Sequence, residues 1–228
     1  MTLKLKKFDM KSISFKTNEN RAPTILLIGR RDTYKSYLVR DLLYYYQDIP
    51  IRTVISGTVA DNGFFGQHVP RFSIHNQYKA SIIESIVERQ KAVLKEKKEE
   101  DLYKKSTIDP RALIVLDDCP YLSWGCDNVM RILFMYGRNW KMMLIINMQY
   151  PLNISPIFRA NIDYVFILRE PNISNRKKIY ENYAGMFPEF ESFCEIMDQC
   201  KENNECLVIN NTSGSIQLSN QLFSFELK

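Results

Sequence analysis

Residues 24–46, "TILLIGRRDTYKSYLVRDLLYYY", decide the fold. The first five residues are a short, mostly apolar run, which predicts a buried strand. The last ten residues place Leu38, Leu42 and Leu43 on one side of a helix. Between strand and helix, "GRRDTYKS" (residues 29–36) matches the phosphate-loop pattern G-x-x-x-x-G-K-[ST] at every position except Tyr34. The stretch therefore predicts a strand–loop–helix unit that holds phosphate.

The chemistry of such a loop assigns a task to each matching residue. The loop turns after a buried strand so that its backbone N–H groups point at the phosphates. Lys35 would reach the β- and γ-phosphates, and the hydroxyl of Ser36 would bind Mg²⁺. The positive end of the following helix attracts the same anion. The motif therefore predicts a nucleotide with Mg²⁺ as the ligand.

Tyr34 is the departure from the pattern. Glycine before the lysine lets the backbone approach phosphate without a side chain in the way. A tyrosine there must turn outward or displace the nucleotide. Taken alone, the remaining pattern does not separate a phosphate loop from a chance match.

A second motif favours the nucleotide interpretation. "ALIVLDD" (residues 112–118) is an apolar run that ends in Asp117 and Asp118. In a nucleotide hydrolase, the first acid of such a pair holds Mg²⁺ through water and the second activates the attacking water. The alternative is a helix N-cap followed by a loop acid, because "DDCP" also fits the start of a turn. Together with the upstream loop, the paired acids favour hydrolysis.

Two further polar residues flank the apolar run "MMLIINM". Gln149 follows this predicted strand, next to the acids, where an amide can sense the γ-phosphate, and Arg138 precedes it. Each residue also has an ordinary explanation. Gln149 fits an amide that caps a turn before Pro151, and Arg138 fits a cation that interacts with a helix C-terminus.

The rest of the chain alternates strands with helices, which predicts a mostly parallel α/β sheet with helices on both faces. The strands are predicted at residues 24–28, 51–56, 112–118, 142–148, 162–168 and 206–210, and the helices at residues 35–47, 78–105, 129–137 and 175–183. The tail "GSIQLSNQLFSFELK" predicts a C-terminal β-hairpin that turns near Ser219 and Asn220. No linker interrupts the pattern, so residues 1–228 are predicted to form a single domain.

Composition excludes several classes of protein. Hydrophobic residues make up 45% and charged residues 25% of the 228 residues, as in globular proteins. The net charge of +5 is compatible with a polyanionic partner but does not require one. Five cysteines without a C-x-x-C pair, and only two histidines, argue against a zinc site or a disulfide framework and for a reducing compartment. No apolar run reaches the roughly 18 residues of a membrane span, and no signal peptide is recognisable, so a soluble intracellular protein is expected.

The motifs, in this order, resemble the genome-packaging ATPases of the nucleocytoplasmic large DNA viruses, of the poxvirus type, in the FtsK–HerA superfamily. The resemblance covers residues 24–211 and rests on "GRRDTYKSYLVRDLLYY", "ISGTVADNGFFGQHVP", "IIESIVERQK", "LIVLDDC", "MYGRNWKMMLIINMQYP", "FRANIDYVFILRE" and "YENYAGMFPEFESF". It implies a P-loop ATPase domain that uses ATP and Mg²⁺.

The resemblance also implies a role for each motif residue. It assigns nucleotide binding to Gly29, Thr33, Tyr34, Lys35 and Ser36, the metal to Ser36 and Asp117, and catalysis to Asp118, Gln149 and Arg138. Arg138 matches the arginine that, in FtsK-like motors, reaches into the neighbouring subunit's site. The implied function is ATP-driven translocation of double-stranded DNA into a capsid.

The implied partners are double-stranded DNA, further copies of the chain in a pentameric or hexameric ring, and capsid or membrane-associated viral proteins. The implied location is the viral assembly site in the host cytoplasm, and the virion. Residues 56–70 and the charged residues 89–105 are the candidate DNA-contacting segments, although the second also fits a solvated helix face. Two other functions stay open: a nucleotide-binding structural subunit that does not hydrolyse ATP, and a small P-loop nucleotide kinase.

Overall fold

A nine-stranded sheet organises the part of the chain that the computed structural model describes, namely residues 4–15, 22–31, 33–57, 63–149, 154–200, 202, 204–215 and 217–227. The strands are β1 (Lys6–Lys7), β2 (Thr24–Ile28), β3 (Ile51–Ser56), β4 (Ile74–His75), β5 (Ala112–Asp117), β6 (Met142–Met148), β7 (Tyr164–Leu168), β8 (Glu205–Asn210) and β9 (Leu222–Glu226). The α-helices are α1 (Lys35–Tyr45), α2 (Ala80–Asp101), α3 (Tyr121–Trp124), α4 (Asn128–Tyr136), α5 (Pro156–Arg159), α6 (Ile173–Tyr183) and α7 (Phe190–Met197).

The sheet has the order β1-β9-β8-β7-β2-β6-β5-β3-β4, with β2 near its centre between β7 and β6. Every pair of neighbouring strands is parallel except those that include β8, which runs antiparallel to both β7 and β9. The predicted α/β fold with a mostly parallel sheet is confirmed.

The central strands are apolar at nearly every position because both faces of the sheet are covered. In β2, Leu26 and Ile28 belong to one buried cluster, whereas Ile25 and Leu27 belong to a second cluster on the opposite face. Helix α1 covers the second face with Leu38, Val39, Leu42 and Leu43, all fully buried. Helices α2, α4, α6 and α7 contribute their buried residues to the first face.

Sequence patterns located the long elements and missed the short ones. The predicted strands at residues 24–28, 51–56 and 142–148 coincide with β2, β3 and β6. The two-residue strands β1 and β4 carry too little pattern to be recognised. Helix α7 was missed as well, although its buried residues Phe193, Ile196 and Met197 have helical spacing.

The C-terminal hairpin is confirmed, but its predicted arms and turn were wrong. Its arms are β8 and β9, and residues 211–221 connect them. The predicted turn at Ser219 and Asn220 lies instead in a short 3₁₀ helix, Leu218–Asn220. Polar side chains shape this connection: Gln221 Nε2 donates to the Ser215 carbonyl at 2.5 Å, and Asn220 Nδ2 donates to Ser215 Oγ at 3.2 Å.

The two candidate DNA-contacting segments differ in structure. Residues 58–62 of the first lie outside the described residues, while Phe65 and Val69, nearer its end, are buried in the core. Residues 89–101 of the second form the C-terminal half of α2, where Lys95 lies 3.8 Å from Glu99 and Lys97 lies 3.9 Å from Asp101. These i,i+4 ion pairs are typical of a solvated helix face.

The described part of the chain contains five free cysteines. None of its helices is both long and apolar enough to cross a bilayer.

Candidate nucleotide-binding site

The carboxyl edge of the sheet brings most of the predicted site residues together. In parallel strands the carboxyl ends share one edge, and in open α/β sheets ligands bind there. The phosphate loop follows β2, and Asp117 is the last residue of β5. In the register, Asn147 of β6 stands between Leu27 and Asp117. Asp117 therefore lies level with Leu27, two residues before Gly29, at the edge of the sheet where the phosphate loop begins.

Gly29 allows the loop to fold closely on itself. A Cβ atom at this position would lie 2.8 Å from Thr33 Oγ1 and 3.1 Å from the Leu168 Cβ of the neighbouring strand. Thr33 Oγ1 donates a hydrogen bond to the Arg30 carbonyl at 2.7 Å, which closes the turn. A side chain at residue 29 would therefore open the loop.

Lys35 is a buried cation at the centre of this loop. Its side chain is 4% exposed, and Nζ donates to the Arg30 carbonyl at 2.9 Å and lies 3.8 Å from Asp118 Oδ1. A phosphate that entered the loop would offer anionic oxygens in place of the neutral carbonyl, and charge-assisted hydrogen bonds are the stronger kind. The position of Lys35 thus fits the predicted role of phosphate ligand.

The N-terminus of α1 adds a second anion-binding feature. The helix begins at Lys35, and its N-cap residue Tyr34 makes no capping hydrogen bond through its side chain. The first backbone N–H groups of a helix have no partner within the helix and carry its positive partial charge. Ser36 lies in this first turn, partly exposed. Loop, lysine and helix end together fit the phosphates of a nucleotide.

Asp117 is a fully buried acid held from both sides. Ser56 Oγ donates to its Oδ2 at 2.8 Å, and Asn147 Nδ2 donates to its Oδ1 at 2.5 Å. Burial raises the pKa of Asp117, while the hydrogen bonds from Asn147 and Ser56 oppose that rise. The ionised form is therefore costly here, and a divalent cation nearby would stabilise it.

Asp118 stands just beyond the strand in a conformation that aims it at the loop. Its φ of 47° lies in the left-handed region, which aspartate adopts more readily than most residues. Gln149 Nε2 donates to its Oδ2 at 3.2 Å. Its Oδ1 is buried without a hydrogen-bond partner, and the Lys35 ammonium lies 3.8 Å away. This oxygen is a free acceptor beside the proposed phosphate position.

The donor set also fits Mg²⁺. Hydroxyl and carboxylate oxygens from Ser36 and Asp117 are hard ligands of the kind that this cation prefers. Across the described ranges, no group of three or more His, Cys, Asp and Glu side chains is placed to hold a metal ion. Mg²⁺ typically keeps several waters and binds through one or two protein ligands plus substrate phosphates, which matches this sparse set.

Ser56 and Asn147 are two site residues that the sequence analysis missed. Ser56 is fully buried at the end of β3 and pairs in register with Asp117, as Asn147 does from the other side. Each is a polar residue at or near the carboxyl end of an otherwise apolar strand. Such polar residues are the signal that identifies them, because buried polar groups need a partner.

Asp117→Asn should stabilise the nucleotide-free protein while it abolishes Mg²⁺-dependent hydrolysis. The amide oxygen keeps the hydrogen bond from Asn147, and the amide group donates to the Ser56 hydroxyl, which also accepts. Stabilising substitutions commonly contribute about 0.5–2 kcal/mol each, and each kcal/mol raises Tm by about 2–4 °C in a domain of this size. Thermal unfolding without nucleotide measures the gain.

The stability that Asp117→Asn gains over the parent protein should increase as the pH rises. Because the folded-state pKa of Asp117 is raised above its usual 3.8, the carboxyl is neutral in both states at low pH and both proteins are equally stable. As the pH rises past 3.8, the unfolded chain ionises first and the parent loses stability relative to Asp117→Asn. A Tm difference that shrinks between pH 4 and 7 would contradict this prediction.

Tyr34 lies at the surface beside the loop. Its side chain is 44% exposed, and its ring packs against Tyr37 with the centroids 5.5 Å apart. Its φ of −68° is ordinary for any residue, so the backbone there does not require glycine.

Tyr34→Gly therefore should not tighten ATP binding, because the exposed ring does not have to leave for the loop to form. An affinity equal to or weaker than the parent's is expected in calorimetric titration with Mg²⁺-ATP. Tyr34→Phe, which keeps the ring, is the matched control. A gain of about tenfold in Tyr34→Gly would mean that the ring crowds the phosphates.

Arg138 is the predicted site residue that the structure does not bring to the others. It precedes β6, and its Nη2 donates to Asp163 Oδ1 at 2.8 Å. The other oxygen of Asp163 accepts from the backbone N of Thr24 at 2.9 Å, at the amino end of β2. The five residues of β2, about 15 Å at the usual rise per residue, separate this end from the phosphate loop. Arg138 cannot act on the site of its own chain.

The chain is similar to proteins of large DNA viruses. Uncharacterized protein L437 of Acanthamoeba polyphaga mimivirus is 33% identical over 211 residues, which cover 90% of this chain and 73% of that protein. Uncharacterized protein 088R of Invertebrate iridescent virus 3 is 34% identical over 221 residues, which cover 94% of this chain and 81% of that protein. No family model matches the chain.

Solved structures share the fold at low sequence identity. The genome-packaging NTPase B204 of Sulfolobus turreted icosahedral virus 2, in complex with ATP-gammaS, has a TM-score of 0.54 at 14% identity and covers 85% of this chain and 94% of its own. The pCW3 conjugation coupling protein TcpA, with ATPgS, has a TM-score of 0.63 at 13% identity and covers 97% of this chain and 69% of its own. The chain therefore belongs to the family of the mimivirus and iridescent-virus proteins, encoded by nucleocytoplasmic large DNA viruses, and it shares its fold with the packaging NTPase B204 and the coupling protein TcpA.

Proposed function

We propose that the protein hydrolyses ATP to drive double-stranded DNA into a viral capsid. The observation that carries the proposal is the contact of Lys35 with Asp118, 3.8 Å apart at the carboxyl edge of the sheet. A buried phosphate-binding cation and an acid with a free acceptor oxygen are thereby held together. A phosphate loop alone would support binding only, whereas the second group supports hydrolysis.

The phosphates would be held by residues on both sides of the α1 N-terminus. Lys35 binds the β- and γ-phosphates, and the first amides of α1 point at the same oxygens. Ser36 through its hydroxyl, and Asp117 through water, would hold Mg²⁺. When bound, Mg²⁺ neutralises charge on the phosphate oxygens.

Asp118 and Gln149 would act on the attacking water. Oδ1 of Asp118 accepts a proton from the water, whose oxygen then bonds to the γ-phosphorus while the bond to the bridging oxygen breaks. ADP and inorganic phosphate result. Gln149 fixes the carboxylate by donating to Oδ2 at 3.2 Å, and its amide would respond to the γ-phosphate.

The proposal of DNA as the cargo is supported by the proteins that share the fold and the family. One solved neighbour is a genome-packaging NTPase, another is a conjugation coupling protein, and the relatives come from viruses with large DNA genomes. The net charge of +5 has the sign that suits a polyanion. Lysine and arginine would contact the phosphate backbone, so binding would weaken as salt rises.

Residues 56–70 are the favoured DNA-contacting segment because their start touches the catalytic acids. Ser56 bonds Asp117, and the Gly57 N–H donates to the Asp117 carbonyl at 3.0 Å. A Cβ atom on Gly57 would lie 2.8 Å from the Asp118 carbonyl oxygen. A change at the acids on hydrolysis would therefore reach Ser56 and Gly57, the first residues of this segment, directly.

The proposed assembly is a ring of five or six copies, with ATP between the Lys35 side of one subunit and Arg138 of the next. A trans arrangement agrees with the distance between Arg138 and its own phosphate loop. Capsid or membrane-associated viral proteins would anchor the ring, at the assembly site in the host cytoplasm and in the virion.

Phosphate release from ATP with Mg²⁺, with and without double-stranded DNA, tests the proposal. The parent should release phosphate faster with DNA, and Lys35→Ala should show no release above background. Release no greater than that of Lys35→Ala would contradict hydrolysis and favour a structural nucleotide-binding subunit. Transfer of the γ-phosphate to an added nucleoside would favour a nucleotide kinase instead.

A further inference from the structure

Three aromatic side chains beside the phosphate loop form a cluster that the proposed mechanism does not use. Tyr34, Tyr37 and Phe64, here called the aromatic cluster, have ring centroids 5.5 Å apart for the two tyrosines and 5.7 Å apart for Tyr37 and Phe64. The tyrosines are 44% and 45% exposed. Adjacent exposed aromatic rings on a soluble domain are typical of a binding surface.

The aromatic cluster is held in place by the core beneath it. Phe64 packs edge-on against Phe65 at 5.0 Å, and Phe65 is 2% exposed. The Arg40 guanidinium also lies over the Tyr37 ring, 4.8 Å from its centroid, in a cation–π contact. The rings are thus positioned before any ligand arrives, which lowers the entropic cost of binding.

Position in the chain relates the aromatic cluster to the nucleotide. Tyr34 immediately precedes Lys35, and Tyr37 immediately follows Ser36, so the tyrosines flank the two residues proposed to hold the phosphates and Mg²⁺. A nucleoside triphosphate with its phosphates at the α1 N-terminus must place its ribose and base outside the loop. Among the described residues, the aromatic cluster offers an exposed aromatic surface at that end of α1.

We propose that the aromatic cluster is the base subsite, where the nucleobase of the bound triphosphate stacks on Tyr37 with Tyr34 and Phe64 beside it. This inference rests on the proposed nucleotide-binding function. Every nucleobase has an aromatic face, so stacking tolerates any base and predicts similar affinities for ATP and GTP. The Arg40 charge beside the ring suits the polyanionic ligand.

Duplex DNA is a poorer occupant of the same surface. Bases in a duplex are already paired and stacked, and unstacking them costs a few kcal/mol for each step. The base of a free nucleoside triphosphate is not stacked on other bases, so it does not incur this unstacking cost.

Titration with two ligands tests the base subsite. Mg²⁺-ATP has a base, whereas inorganic tripolyphosphate with Mg²⁺ offers the phosphates alone. Tyr37→Ala should bind ATP about tenfold or more weakly and bind tripolyphosphate as the parent does. Tyr37→Phe should keep the ATP affinity. Tyr44→Ala is the matched control, because Tyr44 is an exposed tyrosine of the same helix, outside the aromatic cluster.

These titrations distinguish failure of the base subsite from failure of the proposed nucleotide-binding function. An unchanged ATP affinity in Tyr37→Ala, or equal losses for ATP and tripolyphosphate, overturns the base subsite. Weaker self-association of Tyr37→Ala at unchanged ATP affinity overturns it as well and assigns the rings to a subunit contact. If the parent binds neither ligand, the nucleotide-binding function itself fails.

Discussion

Replacing Asp118 by asparagine should lower the ATP turnover rate by about 10²–10⁴-fold, the usual contribution of a general base. The buried Oδ1 has no hydrogen-bond partner and lies 3.8 Å from the Lys35 ammonium. Asparagine has nearly the same shape, tolerates the φ of 47°, and keeps an oxygen to accept from Gln149. What it loses is the ability to take a proton from water.

Steady-state phosphate release gives the turnover rate, and titration with Mg²⁺-ATP gives the affinity. The affinity of Asp118→Asn should stay within a few-fold of the parent value, since the phosphate ligands are intact. Gln149→Ala is the companion variant: its loss of turnover should be smaller, because Asp118, the proposed proton acceptor, remains in place. Turnover of Asp118→Asn within threefold of the parent would remove this residue from the mechanism.

Replacing Arg138 by alanine should lower turnover by about 10³–10⁵-fold, as loss of an arginine finger does, and leave nucleotide binding nearly unchanged. The reason is geometric: Arg138 pairs with Asp163 at the amino edge of the sheet, so in the proposed ring it would meet the nucleotide of a neighbouring subunit. The Arg138 side chain is 37% exposed, and its buried Nε has no hydrogen-bond partner.

Two controls separate a finger from a structural ion pair. Asp163→Asn breaks the same ion pair but keeps Arg138, so it should retain turnover; equal losses in both variants would show that the ion pair itself matters. The second control mixes Arg138→Ala protein with Lys35→Ala protein. Arg138→Ala subunits have an intact phosphate loop, and Lys35→Ala subunits have an intact Arg138, so a mixture should recover activity. No recovery on mixing would contradict action in trans.

The sequence was most informative where an apolar run ended in polar residues. "TILLI" and "ALIVLDD" predicted β2 and β5 and the residues at their carboxyl ends, because a strand buried on both faces leaves a clear apolar signal. The parallel arrangement then placed the two ends at one edge. The phosphate loop and the acids were predictable as neighbours for this reason.

The sequence was least informative about side-chain contacts that depend on which strands are neighbours in the sheet. Ser56 and Asn147 flank Asp117 only because β3 and β6 are the neighbours of β5, which no local pattern reveals. The ion pair of Arg138 with Asp163 depends in the same way on the ends of separate strands. The surface position of Tyr34 depends on its contact with Tyr37. These features required the three-dimensional structure.

The rate of ATP hydrolysis per subunit, measured against protein concentration with and without double-stranded DNA, tests the central claim most directly. A DNA-driven ring with a finger in trans predicts a rate per subunit that rises with concentration to a plateau, and a higher plateau with DNA. A rate per subunit that is the same at every concentration and unaffected by DNA would contradict it.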